Sequence, residues 1–234
     1  MQDILKLIQE RHSVRMPFDP ERPVSHQDLQ QILEAGRWAP TAHNMQNFDI
    51  IVVDDAKILD EIGNIKSLIS EVFIQENYQQ LSFSEEELLQ KKVGLLGTMF
   101  PLSWRTPGVK PVAEEGRSRP FPPCPTLLVV LYDPRKRAPA SEGDFLGIIS
   151  LGCMMENLWL MANSLGIDFQ IISALSNGPV EKEVKRILAV PEHLKIAFCA
   201  RLGYAAGSPP HTLRVRRDIE DFSHHNGFAN KGIG

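Results

Sequence analysis

The chain has 234 residues, of which 43% are hydrophobic and 23% charged, and its formal net charge is −4. This length and composition are typical of a globular protein with a substantial core. The slightly acidic balance gives no sign of a broad nucleic-acid surface, so any anion site must be local. No secretory signal and no uninterrupted apolar run of membrane-spanning length is visible. We therefore expect a cytoplasmic protein with neither a nucleic-acid nor a membrane partner.

The three cysteines are widely spaced and form no CxxC pair. This pattern indicates neither a disulfide framework nor a metal site. Cys153 and Cys199 lie in apolar runs and are expected to be unreactive core thiols. Cys124 lies between prolines and is expected to be exposed.

The N-terminal segment Arg11-His12-Ser13-Val14-Arg15 is a compact array of hydrogen-bond donors. Apolar side chains at near-helical spacing precede it, and Pro17 disfavours helix just after it, so a first helix is predicted to end near Arg11. If the exit is extended, Arg11, Ser13 and Arg15 project to one side. Such an array suits phosphate or another delocalised anion. The alternative is a solvated basic helix end that complements the helix dipole.

Further helices are predicted along the chain. Ser25 is a candidate N-cap for a helix that ends before Pro40. The longest predicted helix spans residues 144–165, and Gly166 tolerates the left-handed conformation that closes it. Shorter helices are predicted from Lys57, after Ser84 and through Ile187.

Four strands are predicted between these helices, at residues 48–53, 126–132, 169–173 and 196–204. The second strand is apolar without alternation, which is typical of a strand buried on both faces. Strands interleaved with helices predict one α+β domain with a small central sheet covered by helices.

Two stretches remain outside this pattern. Residues 101–125 form a long, irregular excursion rich in proline and glycine, which is either a lid or a solvated surface loop. Phe100, Trp104 and Phe121 are candidates for a lid that sandwiches a planar acceptor.

A second basic cluster occupies residues 213–217. If Arg214 and Arg216 meet Arg11 and Ser13, the four side chains form a phosphate pocket without a glycine-rich loop. Neither a G-x-G-x-x-G nor a Walker sequence occurs in the chain, which removes support for those modes of nucleotide binding.

The chain resembles the flavin-dependent nitroreductase family. The matching stretches, in the expected order, are Arg11–Arg15, Ala35–Gln46, Leu165–Asp168, Leu202–Tyr204 and the basic tail from Arg214. The match is weakest at about 66–126. The resemblance implies a small central, mostly antiparallel sheet flanked by helices, with a long central helix at a dimer interface. It also implies a single FMN-binding domain over residues 1–234, with a variable lid or insert at about 66–125.

The resemblance further implies a homodimer with one FMN per subunit at the interface. Arg11, His12 and Ser13 would hold the FMN phosphate and ribityl chain, joined by Arg214 and Arg216. Arg15 would lie near the pyrimidine edge of the flavin. The residues that would reach the flavin of the other subunit are Pro40, Thr41, Ala42, Asn44 and Gln46. Those that would pass along its N5 edge are Ile171, Ile172, Ser173 and Ala174.

The implied activity is reduction of nitroaromatic, quinone or related small-molecule acceptors by NADH or NADPH, in a ping-pong hydride mechanism through flavin N5. No side chain need act as acid or base, and Arg15 would stabilise the reduced flavin by its charge. The alternatives are a reductive dehalogenase, a flavin-consuming enzyme of cobalamin-ligand synthesis, a non-catalytic FMN-binding protein, or an anion-binding dimer without flavin. Two departures from the family pattern are Asn47, where many members have proline, and Ser173, where many have glutamate.

Overall fold

The computed structural model describes residues 4–66, 85–90, 120–139, 141, 143–176, 178–207 and 215–230. The chain divides into two compact units. The first contains Met1–Ser67 and Gly116–Pro209, and the second contains Leu68–Glu115 and Pro210–Gly234.

The first unit is built on a four-stranded sheet. Its strands are β1 (Asp49–Val53), β2 (Thr126–Tyr132), β3 (Asp168–Ile172) and β4 (Lys195–Gly203), in the order β1-β2-β4-β3. All three pairings are antiparallel. Each strand lies within one residue of its predicted bounds, which confirms the predicted small antiparallel sheet.

The helices of the first unit are α1 (Ile4–Glu10), α2 (His26–Arg37), α3 (Ala56–Gly63), α5 (Phe145–Ser164) and α6 (Gly178–Ile187), and those of the second unit are α4 (Glu85–Gln90) and α7 (Ile219–Phe222). The Ser25 side chain accepts a hydrogen bond from the Asp28 amide at 3.1 Å, so it caps α2 as predicted. Gly166 has φ +70° just after α5, a left-handed conformation that glycine adopts readily. The Ser84 position lies outside the described residues.

Strand β2 lies at the centre of the core. Six of its seven residues are buried, which confirms the prediction for a strand covered on both faces. Leu127, Val129 and Leu131 belong to a cluster that includes residues of α3 and α6. Leu128 and Val130 belong to the opposite cluster, with residues of α2 and α5. The sheet is thus enclosed between two pairs of helices, and α5 lies on the α2 side.

One face of α5 packs on the sheet and the other is exposed. Met154, Leu158 and Ala162 have no solvent-exposed surface, whereas Phe145 and Ile148 are 69% and 55% exposed. Within the described residues, α5 is the one helix whose length and apolar composition would suffice to cross a membrane, with a mean hydropathy of 1.5. Uninterrupted apolar runs do not reveal this property, because short polar and small residues interrupt the helix.

The residues just before β2 differ from the prediction. Phe121 and Cys124 are 4% and 8% exposed and belong to the core cluster on the α3 side of the sheet. The prediction of an exposed Cys124 is wrong, and so is the prediction that Phe121 belongs to a lid. Phe100 and Trp104, the other predicted lid residues, lie outside the described residues.

Candidate functional site

The segment after α1 runs along strand β3. The amide of Val14 donates to the carbonyl oxygen of Phe169 at 3.1 Å, and the Val14 side chain is buried. Arg11, Ser13 and Arg15 are half-buried, and His12 is exposed. The structure therefore brings the donor array of residues 11–15 beside the strand that leads into the other predicted flavin contacts.

Arg11 is oriented by helix α5. Its Nε lies 3.0 Å from Oε1 of Glu156, and its guanidinium carbon lies 4.4 Å from the centroid of the Trp159 ring. Trp159 in turn stacks on Phe169 of β3, with 5.3 Å between ring centroids. A carboxylate and an aromatic face together fix the orientation of an arginine side chain.

His12 is exposed at the carboxyl end of α1. Its Nδ1 lies 2.9 Å from the carbonyl oxygen of Glu10. A carbonyl only accepts hydrogen bonds, so this contact places a proton on Nδ1 and leaves Nε2 for another partner.

Unlike Arg11, Arg15 has no partner among the residues that the structure describes. It is half-buried, and among the described residues it makes neither a hydrogen bond nor an ion pair. Burial lowers the pKa of its guanidinium. A partly desolvated cation is unfavourable without a counter-charge or acceptor. The position therefore suits a ligand that offers negative charge or acceptor oxygens.

The loop between α2 and β1, residues 40–47, contains the second group of predicted contacts. Three of its non-glycine residues have positive φ angles: His43 at 50°, Asn44 at 52° and Gln46 at 47°. Such conformations each cost on the order of 1–3 kcal/mol and persist only where neighbouring contacts impose them. Strained residues of this kind cluster at binding sites.

Hydrogen bonds hold this loop in place. The Ala42 amide donates to Oγ of Ser150 on α5 at 3.0 Å. The Gln46 amide donates to Oγ1 of Thr41 at 3.2 Å, and Nε2 of Gln46 donates to Oδ1 of Asn44 at 3.1 Å. Pro40 is exposed at the start of the loop.

Asn47 fixes the end of the loop. Its Nδ2 donates to the carbonyl oxygen of Asp133 at 2.9 Å, and its Oδ1 accepts from the Asp133 amide at 3.1 Å. The side-chain amide thus pairs with the backbone beyond β2 as a neighbouring strand would. Sequence reasoning identified Asn47 only as a missing proline and did not identify Ser150. The one signal in the sequence was that the Asn47 side-chain amide can both donate and accept hydrogen bonds.

The predicted contacts at the end of β3 have unequal environments. Ile171 and Ala174 are half-buried, Ser173 is exposed, and Ile172 is only 5% exposed within the core. The Ile172 side chain therefore faces the interior, and only its backbone is available to a ligand.

The basic tail belongs to the second unit. Arg216 is exposed, and its Nη1 donates to the carbonyl oxygen of Val215 at 2.7 Å. Arg214 lies outside the described residues. The pocket that joins Arg214 and Arg216 to Arg11 and Ser13 therefore stays a prediction.

Other parts of the described structure offer fewer groups that could bind a ligand. A cavity of about 550 Å³ lies between α3 and α6. Three of its charged groups pair with one another, since Arg186 lies 3.2 Å from Glu61 and 3.0 Å from Glu183, and no predicted site residue lines it. Across the described ranges, no three His, Cys, Asp or Glu side chains are grouped as metal ligands would be.

Comparison with known proteins identifies the fold. A family model described as the nitroreductase family matches residues 8–204. An FMN-bound nitroreductase from Bacteroides fragilis superimposes with a TM-score of 0.61 at 23% identity, covering 94% of this chain and 97% of the other. An FMN-bound nitroreductase from Desulfitobacterium hafniense gives a TM-score of 0.58 at 25% identity, covering 96% and 99%.

A curated relative from Staphylococcus aureus strain USA300 carries the name NADPH-dependent oxidoreductase. It is 23% identical over 225 residues, which cover 96% of this chain and 74% of the relative.

Proposed function

This chain belongs to the nitroreductase family, as the order of its motifs predicted, and from that membership we propose that it is an FMN-dependent, NAD(P)H-consuming oxidoreductase. Relatives named as FMN-bound nitroreductases and as an NADPH-dependent oxidoreductase support the cofactor and the electron donor. The proposed acceptors are nitroaromatics, quinones or related small molecules.

Arg15 is the observation that carries this proposal. A half-buried guanidinium without a partner among the described residues, with its pKa lowered by burial, fits an electron-rich group. The pyrimidine edge of FMN, with its carbonyl oxygens and N1, is such a group. Bound FMN would supply hydride transfer at N5. A fixed positive charge at the pyrimidine edge favours the reduced cofactor, because reduction adds negative charge there.

The phosphate and ribityl chain would lie along the rest of the donor array. Glu156 and the Trp159 ring orient the guanidinium of Arg11, and His12 and Ser13 follow it in the chain. Arg214 and Arg216 are proposed to complete the phosphate contacts. Ser173 and Ala174 lie just beyond β3, beside which residues 11–15 run, and are proposed to line the N5 edge with the backbone of Ile171 and Ile172.

We also propose a homodimer with FMN at its interface. The outer face of α5 exposes Phe145, Ile148 and Ile149, and α1 exposes Ile4 and Leu5. Exposed apolar surface on this scale is typical of an interface. A second copy of the chain would bury this apolar surface, so that the exposed face of α5 does not imply a membrane contact.

The two groups of predicted flavin contacts, residues 11–15 and residues 40–46, contact α5 at different positions along its axis. Ala42 contacts Ser150, whereas Arg11 contacts Glu156. Six residues of helix separate these contacts by about 9 Å along the axis. This separation supports an arrangement in which residues 40–46 reach the flavin of the partner subunit.

Two measurements test these proposals. An absorption spectrum of the purified protein should have flavin bands that bleach on anaerobic addition of NADPH or NADH. A colourless protein that takes up no added FMN would contradict the proposal, and bands that do not bleach would indicate a non-catalytic FMN-binding protein. Light scattering should give a dimer mass for the wild type, and Ile148→Glu should yield monomer. A monomeric wild type would contradict the interface.

A further inference from the structure

Arg201 is a buried cation near the carboxyl end of strand β4. Its side chain is fully buried, with 0% exposure. It forms no ion pair with a carboxylate among the described residues, which is unusual because an isolated buried charge is strongly unfavourable. The burial of Arg201 must therefore be offset by hydrogen bonds to neutral groups.

Carbonyl groups supply these hydrogen bonds. Nη2 donates to the backbone carbonyl of Val14 at 3.2 Å and also to that of Met16. Nη1 donates to the carbonyl of Pro123 at 3.3 Å, and Nε donates to Oε1 of Gln170 at 2.5 Å. The guanidinium face covers the Phe18 ring, 4.1 Å from its centroid. One side chain thus ties together the N-terminal segment, the approach to β2 and strand β3.

The two N-terminal acceptors flank Arg15. The carbonyl oxygens of Val14 and Met16 accept hydrogen bonds from the same guanidinium nitrogen, Nη2, so the two carbonyl groups point to the same side of the segment. On another side of the same segment, the Val14 amide donates to Phe169 of β3. The backbone on either side of Arg15 is therefore fixed by contacts from β3 and β4, although the Arg15 side chain has no partner of its own among the described residues.

We propose that Arg201 is a positioning residue for the flavin site, holding residues 14–16 so that the charge of Arg15 stands at a fixed place. This inference rests on the proposed function. Arginine suits the role because its planar fork serves several acceptors at once, which lysine does with fewer donors and no fixed geometry.

Burial lowers the pKa of Arg201 to about 10. The side chain therefore remains a cation at neutral pH, and its contacts with the N-terminal segment do not titrate in the physiological range.

The first test uses the protein without FMN. In Arg201→Met, hydrogen exchange at the Val14 amide, which donates to Phe169, should rise at least about tenfold, since the carbonyl groups of Val14 and Met16 lose their donor, while exchange in β2 stays unchanged. Arg201→Lys should restore part of the protection. Val130→Ala, a truncation in the opposite core cluster, serves as the control for general destabilisation.

The second test measures the bound cofactor. Arg201→Met should bind FMN about tenfold more weakly than the wild type and should shift the flavin midpoint potential to more negative values, because the Arg15 charge is no longer held in place. Val130→Ala should leave the potential unchanged. A purely structural role for Arg201 would lower stability without moving the potential.

Opposite outcomes separate the two proposals. Unchanged exchange at the Val14 amide in both Arg201 variants, or an equal change in Val130→Ala, would overturn the positioning role. A wild type that takes up no FMN would instead overturn the flavin function, while the exchange data would still report on residues 14–16. If Arg201→Met does not fold, Arg201→Lys and Gln170→Leu provide the same comparison with fewer contacts removed.

Discussion

Two segments of the first unit carry the predicted flavin contacts, and they are held by opposite means. Residues 11–16 are extended and are fixed from the protein interior, by β3 and by the buried Arg201. Residues 40–47 are a loop with three left-handed residues, held by short side chains such as Ser150 and Asn47. The extended segment owes its shape to the core beneath it, whereas the loop keeps a strained shape through contacts at its two ends.

This difference suits the two proposed tasks. A charge that sets the reduction potential of a cofactor must have a fixed position, and contacts with the core provide that position. A loop that reaches toward a neighbouring subunit must project from the surface, where only a few contacts are available.

Removing Arg11 should have the largest effect on cofactor binding. Arg11→Ala should weaken FMN binding between about tenfold and 100-fold, because a charge-assisted hydrogen bond contributes about 1.5–3 kcal/mol. Fluorescence titration with FMN measures the change. Arg186→Ala, which removes an exposed arginine paired with Glu183 and Glu61, is the matched control and should change affinity less than threefold. Equal affinity in Arg11→Ala and the wild type would remove Arg11 from the phosphate site.

Breaking the end of the loop should mainly reduce stability. Asn47→Ala should lower the free energy of unfolding by about 1–3 kcal/mol, since the Asp133 amide loses its acceptor and the Asp133 carbonyl oxygen keeps only the Lys136 amide as a donor. Asn47→Pro should lower it further, because proline disfavours the conformation of Gln46 in the preceding position. Urea denaturation measures both variants. A proline variant as stable as the wild type would show that the loop accepts the proline common in the family.

Substitution by glycine should lower the stability of the protein in the N-terminal segment but not in the loop. Ser13→Gly, in the extended segment, should lower stability by about 0.5–1 kcal/mol through chain entropy. His43→Gly, in the loop, should leave stability unchanged or raise it by up to about 1 kcal/mol, since glycine adopts φ 50° without strain. Melting temperatures of the proteins without FMN provide the comparison. Equal losses at both positions would contradict a strained loop.

The anchor of the loop should respond to acid. Side-chain hydrogen bonds from Arg135, at 2.9 and 2.8 Å, hold the pKa of Asp133 well below its usual range. A lowered folded-state pKa stabilises the protein above the unfolded-state pKa of about 3.9, and this stabilisation is lost as the pH falls toward the folded value. The stability difference between wild type and Asp133→Asn should therefore be constant from pH 5 to 7.

Below about pH 4 that difference should narrow. Unfolding curves for both proteins at several pH values measure it. A difference that is the same at about pH 3 and at neutral pH would contradict the ion pair.

The sheet and the long helix could be predicted because their signals are local. β2 is a continuous apolar run, and α5 has apolar residues at helical spacing with Gly166 after its end. The end of α1 at Glu10, close to the predicted end near Arg11, was also predictable, because Pro17 disfavours helix just beyond it. The contacts that hold the site were not predictable, because Asn47 meets a backbone 86 residues away and Arg201 meets one 187 residues away.

The two wrong predictions, for Phe121 and Cys124, have a similar cause. Phe121 and Cys124 lie among prolines and glycines, a composition typical of an exposed loop, yet both enter the core just before β2. Composition describes the flexibility of a segment in isolation and carries no information about which surface covers it. Only the position of β2 between two helical layers determines that these side chains are enclosed.

The buried thiols have a chemical consequence for a protein that would handle quinones. Such compounds alkylate thiolates, which are the nucleophilic form of cysteine. Burial raises the pKa of Cys124 to about 12, despite the opposing charge of Arg201, and also raises the pKa of Cys199. Neither side chain offers an anionic sulfur to an electrophile at neutral pH. The interior around the sheet is thereby protected from covalent damage by the substrates of the proposed reaction.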